Sequence, residues 1–97
     1  MRSNRCSLFF RKHIDRELEV SISVFDGLTQ YERLRVAEVG DVGSSKVLLI
    51  SGQSQHQIEI DLHHYSFATV SPDRRKLEIG RLLGGSITLR LTASEIA

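Results

Sequence analysis

The sequence predicts an all-β domain: a small barrel of short, bent strands, preceded by a short N-terminal helix and followed by a C-terminal β-hairpin. Two observations carry that reading. In the first, Leu18, Val20, Ile22 and Val24 alternate strictly with Glu17, Glu19, Ser21 and Ser23, and Asp26-Gly27 follows as a strong hairpin signal. In the second, the alternation runs through Ile58, Ile60 and Leu62, changes phase at His63-His64, and resumes through Tyr65, Phe67 and Thr69 before Pro72. A period of two puts every apolar residue of a strand on one face, the signature of a half-buried sheet.

The elements follow in order. Ser7 is placed to cap a helix over residues 8–16, with Phe10 and Ile14 on one face and Arg11 and Asp15 paired on another. Residues 18–25 form the first strand and residues 26–29 its turn. Residues 32–39 form the second strand, with Leu34 and Val36 inward and Arg33 and Arg35 outward. The glycines, serines and Asp41 of residues 40–45 make a loop. Residues 46–51 are apolar on both faces through Val-Leu-Leu-Ile, so this strand is expected to be central or covered. Strands over 58–62 and 65–70 are separated by the phase change, and Ser71-Pro72-Asp73 ends the unit because proline cannot continue a central strand. In the tail, residues 76–83 and 87–92 flank Gly84-Gly85 and make the added hairpin. The chain reads as one domain over 1–97, with a core at about 8–74 and an extension over 75–97.

Thirteen Lys and Arg against twelve Asp and Glu leave a net charge of +1, which demands no nucleic-acid partner and allows a local basic patch. One cysteine, Cys6, excludes an internal disulfide, the absence of CxxC spacing argues against a thiolate zinc site, and basic neighbours would favour the thiolate on an open terminus. The apolar run near the N-terminus is too short for a signal peptide, and nothing approaches a membrane span, so a cytoplasmic protein without membrane contact is expected. No phosphate-binding glycine loop, HExxH or GxSxG elbow occurs, so no catalysis and no cofactor are expected. Glu59, Asp61 and His63 share a strand face, which reads as a solvated face rather than a metal site.

A helix followed by five bent strands is the order of the Sm-like and SH3-like barrels. Residues 9–27, FFRKHIDRELEVSISVFDG, resemble the end of the helix and the first strand of the bacterial Hfq-type RNA chaperones. Residues 63–74, HHYSFATVSPDR, resemble that family's second Sm motif. Residues 18–27, LEVSISVFDG, and 57–71, QIEIDLHHYSFATVS, also resemble Rof-type antiterminators, Sm-like proteins that bind the termination factor Rho.

The Hfq resemblance implies single-stranded RNA binding and a post-transcriptional regulatory role. It sets His63, His64 and Tyr65 at a Tyr-Lys-His turn that lines a uridine-binding pore, where His64 replaces a permanent charge and Tyr65 retains a ring for stacking. On the face that the family uses for adenines, Ser23 stands where a stacking Tyr is common and Thr29 where a Lys is common. Basic residues gather at Arg2, Arg5, Arg11, Lys12 and Arg16, and again at Arg74, Arg75 and Lys76. The expected RNA-binding residues are therefore His64, Tyr65, Arg74, Arg75 and Lys76. The resemblance also implies a homo-oligomer built by pairing strand edges. The Rof resemblance implies instead a protein partner met by Glu17, Glu19, Glu59 and Asp61.

Overall fold

A computed structural model describes residues 2–24, 27, 29–40 and 46–96, with side chains from residue 6 onward. Phe25, Asp26, Leu28 and the loop over 41–45 lie outside the described residues, as do the side chains of Arg2 and Arg5. The fold is mostly β. One helix, α1 (Arg2–Lys12), precedes seven strands: β1 (Glu17–Val24), β2 (Thr29–Val39), β3 (Lys46–Ser51), β4 (Gln57–Asp61), β5 (Phe67–Val70), β6 (Lys76–Leu83) and β7 (Ser86–Glu95). They form a single sheet in the order β4-β3-β2-β1-β7-β6-β5, antiparallel throughout.

The alternation of β1 holds in its first half and fades toward the hairpin, where Ile22 is half-buried and Val24 is exposed. Leu18 and Val20 are buried, Glu17 and Glu19 exposed, and Leu34 and Val36 of β2 face the same core. A bulge between Val36 and Glu38 shifts the phase of β2. Val39 therefore packs on the core although it lies three residues after Val36. Val47 and Leu49 of β3 and Ile60 of β4 continue the apolar face, while Leu48 and Ile50 are half-buried on the other side. Cys6, Phe9 and Phe10 of α1 complete the core, and the helix packs chiefly on β5, with further contacts to β2 and to the 3₁₀ turn Leu62–His64. Burying a Phe or Leu side chain of this kind contributes about 1.5–3 kcal/mol.

The helix lies earlier than the pattern predicts, and the backbone gives the reason. The Asp15 N–H donates to the Val36 carbonyl at 2.8 Å, and the Val36 N–H donates to the Arg16 carbonyl at 3.1 Å. Residues 14–16 thus bond to β2 instead of continuing the helical ladder. Asp15 turns the chain with φ 66°, a left-handed conformation that Asp tolerates better than most residues. Its carboxylate faces Arg35 at 3.5 Å rather than Arg11, which donates to the Gly40 carbonyl at 2.8 Å.

The tail differs most from expectation. Its hairpin forms around Gly84-Gly85, both at positive φ as a two-residue turn requires, with Leu83 opposite Ser86. The hairpin is not an appendage, however. β7 pairs with β1 from Leu18↔Glu95 to Val24↔Leu89, and β6 pairs with β5, so the tail lies inside the sheet. Its inward residues Leu77, Ile79, Leu91 and Ala93 are all buried. A 76–97 segment with this many buried apolar side chains has nowhere else to hide them from water.

β5 also runs in the opposite phase to the one read from its sequence. Ala68 and Val70 pack on the core together with Tyr65, whereas Phe67 sits opposite Gly80 on the other face. The Phe67 ring lies over Gly80, where a methyl group would overlap it, and the Leu89 carbonyl would be only 3.1 Å away. This is an aromatic ring covering the glycine of the neighbouring strand. Gly80→Ala is therefore expected to cost about 1–3 kcal/mol, as overpacking does. Urea unfolding should show a smaller loss in a Phe67→Leu background, because the two positions share one space.

Candidate nucleic-acid interface

The five residues expected to bind RNA occupy two places. His64 closes the 3₁₀ turn after β4, with its side chain 72% exposed and its Nε2 3.8 Å from the Asp61 carboxylate. The Asp61 carboxylate also accepts a hydrogen bond from the His63 N–H at 3.0 Å, which caps the turn. Tyr65 follows directly, but its ring is half-buried against the core. Burial pushes its phenol above the ordinary range, and the neighbouring Arg81 guanidinium pulls it partly back. Arg81 is a basic residue that the sequence reading did not select. Its position inside an amphipathic strand gave no sign that the fold would bring it to Tyr65.

Arg74, Arg75 and Lys76 lie at the other end of β5, in its turn to β6. The four residues of β5 alone put about 13 Å between the two groups at ~3.3 Å per residue. The structure therefore brings His64, Tyr65 and Arg81 together, gathers Arg74, Arg75 and Lys76 separately, and does not merge them.

The basic turn is tightly built. The Arg74 N–H donates to the Ser71 carbonyl at 2.8 Å, and the Ser71 N–H donates to the Lys76 carbonyl at 2.9 Å. Pro72 stands first in the turn, where its fixed φ fits. The Asp73 carboxylate accepts from the Ser71 hydroxyl and from the Arg75 N–H, the latter at 3.1 Å. Beyond the turn, the Glu95 N–H donates to the Arg75 carbonyl at 2.9 Å and ties the turn to the end of β7. Arg74 adopts φ 60°, a left-handed conformation that costs an ordinary side chain roughly 1–2 kcal/mol. Arg74, Arg75 and Lys76 are all exposed, and none of their side-chain cations forms an ion pair among the described residues.

Lys76 leads from this turn onto the outer face of the sheet, where the ladders set side chains in rows. One row runs Arg33, Glu19, Ser94, Lys76 across β2, β1, β7 and β6, and the next runs Tyr31, Ser21, Thr92, Glu78. Tyr31 lies outside the second strand that the sequence predicts, which begins one residue later at Glu32, and inside the observed β2. Extending the alternation of Arg35 and Arg33 back by one step would have placed it on this face. Glu19 and Arg33 pair at 3.7 Å, and Arg90 and Glu78 at 3.8 Å.

Elsewhere, His13 is buried at the end of α1, and its Nδ1–H donates to the Phe9 carbonyl at 2.7 Å. Its Nε2 stands 3.6 Å from a carboxylate oxygen of Glu95. Among the described residues, no three or more His, Cys, Asp and Glu side chains gather as a metal would require. No helix of the described residues is long and apolar enough to cross a membrane. No family model, curated protein or solved structure matches this chain.

Two groups here have a testable acid–base character. Cys6 is buried rather than open to its basic neighbours, and burial pushes its thiol up to about 11. The folded protein at pH 8 should consume a thiol reagent far more slowly than the urea-unfolded chain, measured by absorbance. Asp73 is held below the ordinary carboxylate range, first by the Ser71 hydroxyl and then by the Arg75 N–H. A depressed folded value means that the turn's stabilisation is present above the unfolded value near ~3.9 and lost as pH falls through the folded one. The Arg75 amide shift in NMR should titrate only in that acid window and should stop doing so in Asp73→Asn.

Proposed function

We propose that the chain is a non-catalytic, cytoplasmic RNA-binding module of Sm-like barrel type, with the basic turn Arg74–Arg75–Lys76 as its phosphate contact. The carrying observation is Arg74. A left-handed turn position suits glycine, yet an arginine is held there, exposed and without a carboxylate partner among the described residues. Strain of this kind clusters at binding sites, where a side chain must be aimed. Two adjacent cations on the same turn add to the attraction for a polyanion.

The N-terminal helix, the antiparallel meander from β1 to β4 and the 3₁₀ turn before β5 support the Sm-like reading. His64 and Tyr65, with Arg81 beside them, offer a second contact at the far end of β5. A homo-oligomer belongs to the same reading, because β4 and β5 form the two edges of the sheet and the tail occupies neither. The alternative, an acidic face for a basic protein partner, has less support. Glu19 is paired with Arg33, Glu17 stands opposite Arg35, and Asp61 caps its own turn.

The test is a fluorescence anisotropy titration with short oligouridine and oligoadenine across a salt series. Arg74→Ala with Arg75→Ala should weaken binding and reduce the salt slope by about 1.4, at ~0.7 for each lost phosphate contact. Arg74→Gly should separate the two roles of that residue. It should match or exceed the parent in urea stability, since glycine adopts φ 60° freely, while binding RNA more weakly. Binding that ignores both changes would remove the basic turn from the function.

A further inference from the structure

The outer face of the sheet holds a groove of about 390 Å³ whose lining includes Ser21, Tyr31, Thr92 and Ser94, one guanidinium, Arg33, and two carboxylates, Glu19 and Glu32. Its floor is made of small hydroxyl residues because β1 and β7 lie side by side. Ser21 stands opposite both Tyr31 and Thr92, and Glu19 stands opposite both Arg33 and Ser94. Tyr31 rises beside that floor and is 81% exposed, the most open of the large hydrophobic side chains among the described residues. Its backbone is held in the β1–β2 ladder, so the ring projects from a rigid strand rather than from a loop.

We infer that this groove is a nucleobase subsite in which Tyr31 stacks on one base of a single-stranded RNA whose phosphates reach the basic turn. The inference rests on the RNA reading above and adds to it the residue that binds a base. Three features of the groove fit that occupant. An exposed aromatic ring offers a stacking surface to any base, at about 1–3 kcal/mol per stacked base.

The Arg33 guanidinium and the Glu19 carboxylate, 3.7 Å apart, present donors and an acceptor at the rim. The Ser21 and Thr92 hydroxyls, which make no hydrogen bond among the described residues, can both give and accept, as contact with a ribose 2′-OH requires.

Continuity supplies the fourth argument. From Arg33 the row passes over Glu19 and Ser94 to Lys76, three strand spacings or about 14 Å away. At the ~3.4 Å axial rise per nucleotide of a stacked strand, that distance corresponds to about four nucleotides. A strand lying across the sheet would then set a base on Tyr31 and its backbone against Lys76, Arg75 and Arg74.

The chain has two tyrosines and no tryptophan, so Tyr65→Phe leaves Tyr31 as the sole emitter of tyrosine fluorescence. In that background, oligouridine and oligoadenine should quench the emission as they bind. Tyr31→Ala should weaken binding about 5- to 160-fold, and Tyr31→Phe should stay within about twofold because it keeps a ring. Deoxyribose versions of the same oligomers should bind more weakly if the hydroxyl floor meets the 2′-OH. A thermal melt of Tyr31→Ala is expected to match the parent, since so exposed a ring has little to lose.

Loss of affinity on Arg74→Ala with Arg75→Ala, without quenching and without an effect of Tyr31→Ala, would overturn the subsite and leave the basic-turn reading standing. Quenching and a Tyr31 effect that ignore the two arginine changes would keep the subsite and overturn the basic turn. Absence of binding to every oligomer would overturn both, and would turn the exposed Tyr31 into evidence for a protein partner.

Discussion

The pairing of β1 with β7 is the contact on which the rest of this structure depends. Without it the sheet is two separate antiparallel meanders, β1 to β4 and β5 to β7, linked along the chain through the 3₁₀ turn Leu62–His64 and bridged by α1, which packs on β5 and touches β2. Each meander is made of hairpins between neighbours in sequence. Seven residue pairs, Leu18↔Glu95 through Val24↔Leu89, connect them into one sheet. On the inner side, this ladder sets Leu18 and Val20 beside Leu91 and Ala93, all four buried. Phe9 and Phe10, edge-to-face with ring centres 5.6 Å apart, then fill the core that the two halves enclose.

The same ladder builds the outer face. β1 contributes Ser21 and Ser23 and β7 contributes Thr92 and Ser94, small side chains that leave space above the strands, while the longer Glu19 and Arg90 lean to Arg33 and Glu78 on the flanking strands. The bulkier groups stand on either side: Tyr31 and Arg33 on β2, Glu78 and Lys76 on β6. A groove at this place is thus the outcome of small polar residues on two central strands. Its polarity also keeps the exposed face of the sheet compatible with water, as the alternation of an antiparallel sheet requires.

Contacts of this length carry an entropic cost. β1 and β7 meet only after some seventy residues have been ordered, whereas each hairpin closes a short loop. Local turns lower that cost by fixing the halves first. Gly84-Gly85 turns β6 into β7, the Ser71–Lys76 turn joins β5 to β6, and the bulge in β2 bends the first meander toward the core. The basic turn is attached to the ladder itself through the bond from the Glu95 N–H to the Arg75 carbonyl, so the turn that carries the cations is tied to the end of β7.

By itself the sequence determined the all-β class, the single helix, the burial of Leu18, Val20, Leu34 and Val36, and the turn at Gly84-Gly85. Each of these is a local property, set by a two-residue period or by the dihedral freedom of glycine. It also marked the exposed cluster Arg74, Arg75 and Lys76, since a run of charges beside a proline turn has few places to be except the surface. What it left open were facts about pairs of distant residues. Periodicity tells which face of β7 is buried but not which strand lies next to it, because every antiparallel neighbour offers the same backbone bonds. Only the tertiary structure decided that β7 joins β1, that Arg81 comes to Tyr65, and that Phe67 turns away from the core to cover Gly80. The same physical limit hid the groove beside Tyr31, since its floor is assembled from Ser21 and Thr92, two residues brought together only by the ladder between the first strand and the last.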